Sequence, residues 1–136
     1  MLEDEKITRA IIETHMETFL DYTEVDVALA GAGPANLIAG RKLASEGVKT
    51  VIFEENLSVG GGMWGGGMMF PRIVVQETAK EILEELNIGH QEYEEGYYVA
   101  SSIEAVSKLT SEAIEAGAEI FNCVYVEDVM INSKEE

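Results

Sequence analysis

Gly31-Ala32-Gly33-Pro34, followed about 20 residues later by Glu54-Glu55, is the constellation best suited to chemistry in this chain. A first glycine turns the backbone sharply off a strand, and a second lets a phosphate approach bare main chain. Proline in the first helical turn loses nothing through its missing N–H. The helix it opens aims unpaired N–H groups and its positive dipole end at an anion. A carboxylate at the spacing of Glu54 can accept hydrogen bonds from ribose hydroxyls. The pattern predicts a dinucleotide site built on Gly31, Gly33 and Glu54. Asn36 departs from it, because the third fingerprint position is normally a glycine that admits close helix–strand packing. Its bulk predicts weaker affinity.

The elements that must position these residues read as one βαβ unit, whose crossover makes a parallel sheet. Residues 25–30 form a buried strand, residues 34–46 a helix stopped by Gly47, and residues 48–53 a second, β-branched strand. Residues 58–70 follow as a loop with six glycines, costly in entropy unless something orders it. Linkers rarely carry a Trp, a Phe and three Met, so the expectation is a loop ordered by a ligand or a subunit. Val75, Ala79, Ile82, Leu83 and Leu86 predict an amphipathic helix ended near Gly89, and residues 97–100 a short extended segment. Ser101 and Glu104 make a capping box for a helix with Val106, Leu109 and Ala113 inward, stopped by Gly117. Residues 118–131 read as a third parallel strand leading into the first strand of a meander.

Ahead of this unit, residues 6–22 place Ile7, Ile11, His15 and Phe19 in one row and Ile12, Met16 and Leu20 in the next. That apolar face could pack on the domain or on a partner subunit, with His15 as a packed structural histidine. The organisation expected is an N-terminal amphipathic helix over 1–24 and a partial dinucleotide-binding domain over 25–136.

At 136 residues the chain has room for one core. Its net charge of −17 excludes nucleic acid and anionic lipid as partners. An anionic ligand must therefore be held by backbone N–H groups. No apolar run approaches the roughly 20 residues of a membrane span. The acidic start, Met1 to Lys6, lacks a secretory pattern, so a cytoplasmic protein is expected. Cys123 is the one cysteine and can form neither an intrachain disulfide nor a structural zinc site. Its apolar neighbours predict a buried, inert thiol.

Residues 54–70, with Gly60-Gly61-Gly62-Met63-Trp64-Gly65-Gly66-Gly67, continue into Ile73-Val74-Val75-Gln76-Glu77. Together with residues 95–99 and 113–118 they resemble the thiamine thiazole synthases, especially the archaeal, sulfide-dependent branch. The resemblance runs from the N-terminal helix through Val129 and covers the N-terminal half of such chains. The Met-Trp glycine loop is its specific motif.

The resemblance implies an α/β fold, FAD/NAD(P)-binding and Rossmann-like, three-layered with a parallel sheet, and incomplete because the C-terminal half is absent. It implies thiamine biosynthesis with NAD as a substrate: a transferase joining ADP-ribose to glycine and sulfide, with iron present, to give an adenylated thiazole carboxylate. Some relatives have been described as ribose-bisphosphate isomerases. Members commonly form octamers. Carried over by position, NAD contacts fall at Ala35, Glu54, Glu55, Gly62 and Val126. Position 35 is often Ser and position 55 often Arg, so Ala35 and Glu55 depart from the pattern. The second half of such chains supplies the iron-ligating Asp and His and a glycine-binding Arg. No catalytic residue or metal ligand is therefore assigned here, neither His15 nor His90, and the isolated chain is expected to be inactive. Two other readings stay open: a fragment of an FAD-dependent oxidoreductase, and a non-catalytic nucleotide-binding fragment.

Overall fold

A computed structural model gives the structure of residues 1–132. Asp4 and Glu5 open helix α1 (Asp4–Asp21), where negative side chains meet the positive end of the helix dipole. The βαβ unit follows as β1 (Val27–Ala30), α2 (Pro34–Ser45) and β2 (Thr50–Glu54). Pro34 stands in the first turn of α2, and Gly47 takes a φ of +80° past its end. β1 and β2 pair in parallel from Val27↔Thr50 to Ala30↔Phe53.

Ile52 points from β2 into α2 and is fully buried beside Leu37. A Cβ added at Gly40 would lie 2.8 Å from Ile52 Cδ1, so glycine lets helix and strand lie this close without a shift of the Ile52 side chain. The close approach expected of the third fingerprint position has moved one turn along α2. Asn36 does not obstruct it.

The chain then builds a second, antiparallel sheet from β3 (Arg72–Val75), β4 (His90–Glu94) and β5 (Tyr97–Ser101), in the order β3-β5-β4. Helix α3 (Glu77–Glu85) separates β3 from β4, and α4 (Ser102–Glu115) leads to β6 (Glu119–Asn122). β6 joins β2 in parallel, giving the order β1-β2-β6. Leu83, Leu86, Ile88, Ala100 and Leu109 continue the core that holds Leu37 and Ile52, so the two sheets share one interior. On the opposite face of the parallel sheet, Phe121 receives Phe19 at 5.0 Å and Tyr22 at 6.0 Å between ring centroids. Helices thus flank both faces, in three layers.

Several sequence expectations need correction. Val75 belongs to β3, not to a helix: the β-branched run 73–75 finds a strand partner in β5, with Val75 opposite Tyr98. α3 is stopped by Asn87 at φ +51°, not by Gly89, whose N–H instead donates to the Glu104 carboxylate at 2.9 Å. That leaves half a capping box: Ser101 Oγ accepts the Glu104 N–H at 3.3 Å, but the Glu104 side chain is engaged elsewhere. β4 carries mostly exposed polar residues and gave no apolar signal to read. Cys123, at φ +57°, ends β6 and is exposed, so the thiol is not buried and no meander strand follows among the described residues. Of the two places expected for the apolar face of α1, the domain itself takes little of it. No residue of α1 is buried, and His15, though exposed, meets the Phe121 edge at 5.9 Å.

Arg41 ties three helices together, pairing with Glu85 at 2.6 Å and Glu112 at 3.5 Å. Its partners are half exposed, so solvent weakens both pairs. Arg41→Ala should cost about 1 kcal/mol in urea unfolding. A loss above about 3 kcal/mol would mean that the guanidinium is central to the fold.

Candidate dinucleotide site

The parallel strands end at one rim, and the sequence motif sits on it. Gly31 turns the chain at φ +87° while its N–H donates to Phe53 O at 2.7 Å. Such a φ is strained for any residue with a Cβ. Glu54, at the end of β2, is only 4% exposed. One carboxylate oxygen accepts the Ala32 N–H at 2.7 Å, and the other accepts Asn56 N at 2.8 Å and Asn56 Nδ2 at 3.0 Å. The Asn56 and Ala32 amides hold this carboxyl below the usual carboxylate range, against the opposing effect of burial. Glu54 is therefore an ionised clasp between strand end and glycine turn.

The second glycine loop folds back onto the first. Gly60 N–H donates to Ala32 O at 2.8 Å, and a Cβ added at Gly61 would lie 3.5 Å from Gly33 Cα. The loop forms a short 3-10 helix over Gly61–Gly65. Trp64 Nε1 donates to Val59 O at 2.6 Å, and Ser102 Oγ donates to Trp64 O at 3.3 Å. Contacts within the chain thus hold part of this loop, at Gly60, Trp64 and Ser102.

Bringing the loops together leaves a set of unpaired donors side by side. The backbone N–H groups of Gly33, Ala35, Asn36, Gly61 and Gly62 have no acceptor among the described residues. An anion could satisfy several at once. Beside them opens a cavity of about 340 Å³, at the lower end of the range for ligand pockets. It brings together Gly31, Glu54, Glu55 and Val126 of the residues expected from sequence. Gly33, Ala35 and Gly62 are not in its lining; Ala35 and Gly62 are exposed. Val126 reaches the cavity because Val124 N–H donates to Glu54 O at 2.9 Å, extending the β2–β6 pairing past Cys123.

Sequence reasoning missed Asn56, Gly61 and Tyr125 in this lining. Asn56 was findable, since an amide two residues beyond a strand-end carboxylate can reach back to it. Tyr125 had no local signal. Among the described residues no group of three His, Cys, Asp or Glu could hold a metal ion, so they do not fit the iron that the resemblance implies. No described helix is long and apolar enough to cross a membrane.

The model of the Thi4 family matches residues 8–136. The chain belongs to the Thi4 family. It is 64% identical over 135 residues to a thiamine thiazole synthase of Methanococcoides burtonii, covering 99% of this chain and 52% of that protein. With the thiamine thiazole synthase of Methanothrix thermoacetophila it shares 65% identity over 130 residues, 96% of this chain and 50% of the relative. The crystal structure of Thermovibrio ammonificans THI4 superposes with a TM-score of 0.94 at 45% identity, over 97% of this chain and 51% of that one. This Thi4 chain thus spans about half the length of the curated relatives it matches. L-proline dehydrogenase from P. horikoshii, at 13% identity and a TM-score of 0.63, shares the fold alone.

Proposed function

We propose that this chain is the NAD-binding half of a thiamine thiazole synthase, a transferase of thiamine biosynthesis that consumes NAD as a substrate. The observation that carries the reading is the convergence of the two glycine loops, which sets five free N–H groups beside the strand-end cavity. A chain with net charge −17 has few cations to offer a pyrophosphate, and backbone amides supply the attraction instead. In this reading the amides of Gly33, Ala35 and Gly62 hold the phosphates, with Gly31 making the turn. Glu55 accepts from the ribose hydroxyls, joined by the one lone pair that the three internal donors leave on Glu54. Val126 holds the adenine through its backbone groups.

Joining ADP-ribose to glycine and sulfide needs groups that these residues lack. We assign the iron ligands and the glycine-carboxylate site to the other half of the protein. β1 is an edge strand of the described sheet, with its outer side open to a further strand. The assembled enzyme would be a cytoplasmic homo-oligomer, an octamer as in the family.

Calorimetric titration tests the reading. NAD and ADP-ribose should each bind at one site per chain, and FAD should not. Incubation with NAD, glycine, sulfide and ferrous iron should give no thiazole until a polypeptide matching the remaining half of the M. burtonii relative is added. Failure of both NAD and ADP-ribose to bind would reject the proposal, and tight FAD binding would favour an oxidoreductase fragment.

A further inference from the structure

We propose that Asn36 is a positioning residue for the diphosphate of the bound nucleotide, an inference that rests on the dinucleotide reading of this site. The residue stands where the fingerprint has its third glycine, and the close helix–strand packing of that glycine is supplied by Gly40. The position is thereby free to carry a side chain, and the side chain has a specific use. Asn36 Nδ2 donates to Ala30 O at 2.8 Å and to Gly31 O at 2.7 Å, spending both of its protons on consecutive carbonyls.

With those two bonds in place, the turn is satisfied from within the chain. Gly31 N–H goes to Phe53 O and Ala32 N–H to Glu54, while Ala32 O accepts from Gly60. Every carbonyl of residues 30–32 is held by an internal donor. None is left to turn its negative end toward an incoming phosphate. The unpaired groups that the two loops offer the diphosphate are then N–H groups, from Gly33 onward and from the second loop. In a site without cations this matters more than usual, because one carbonyl dipole swung toward the diphosphate would oppose several amides. A glycine at position 36 would release both carbonyls to reorient.

The mechanism predicts a loss that scales with the phosphates on the ligand, which general loosening of the domain would not produce. Asn36→Ala should weaken ADP-ribose about tenfold and AMP about threefold, as expected for losing two net hydrogen bonds' worth of orientation. Adenosine, titrated by NMR, should change less than about twofold. Asn36→Gly, which restores the usual fingerprint residue, should show the same order and serves as the second variant. Circular dichroism melts of both establish that the fold is intact. Equal affinities for wild type and variants would overturn the proposal, as would equal losses for all three ligands. Wild-type chain that binds no ADP-ribose would instead overturn the dinucleotide reading beneath it.

Discussion

Gly66→Ala is expected to remove about 4 kcal/mol of stability, a large part of what a domain of this size possesses. Gly66 has φ +56° and ψ −142°, a region populated essentially by glycine, and that alone costs a substituted residue about 1–3 kcal/mol. An added Cβ would also run into backbone: Phe70 O, Arg72 O, and Arg72 N at 2.7 Å. Main chain cannot rotate aside as a side chain can, so relief requires the loop to open. Opening would break the Gly67 N–H bond to Arg72 O at 2.8 Å and loosen the entry to β3. Gly67→Ala is the control, since its Cβ would meet nothing nearer than Arg72 O at 3.9 Å. Urea unfolding should separate the two. Near-equal midpoints would show that the loop yields without cost.

Glu54→Ala should cost about 3 kcal/mol and abolish nucleotide binding, because it deprives three donors of one acceptor. The Ala32 N–H lies in a fully buried residue and would be left without a partner. The pH dependence has a definite sign. The carboxyl is held below its ordinary value of 4.5 by the Asn56 and Ala32 amides, so the folded state binds that proton less readily than the unfolded chain. Its stabilisation is fully present above the ordinary value and is lost as pH falls through the lower folded value. Acid unfolding of wild type should therefore be steeper below pH 4.5 than that of Glu54→Gln, which cannot titrate. Parallel acid limbs for the two proteins would refute the clasp. Retained ADP-ribose affinity in Glu54→Ala would show that the turn holds its shape without it.

Legibility from sequence followed the range of the physics. The turn at Gly31, the start of α2 at Pro34 and the stops at Gly47 and Gly117 were readable because backbone stereochemistry acts over a few residues. β4 was not readable, since its mostly exposed polar residues make a strand only beside β5. Cys123 misled because the apolar run around it suggested burial, while its own φ of +57° follows the last residue of β6 and the thiol is exposed. Asn36 misled for a different reason. Bulk was the visible property, but the hydrogen bonds to Ala30 and Gly31 and the substitute packing at Gly40 depend on how α2 lies against β1 and β2.

What the sequence determined by itself was the pair of glycine motifs, the strand-end carboxylates and the βαβ unit that carries them. Each is a local consequence of residue type and spacing, and family membership follows from the same residues. Only the tertiary structure decided that Gly60 docks on Ala32 and Gly61 beside Gly33, that Glu54 closes the turn, and that Val126 arrives at the rim. Those contacts join segments from 22 to about 70 residues apart through packing around one shared core, and no short-range pattern encodes such a meeting. The candidate site is therefore two separate loops in the sequence and a single cradle of amides only in the folded chain.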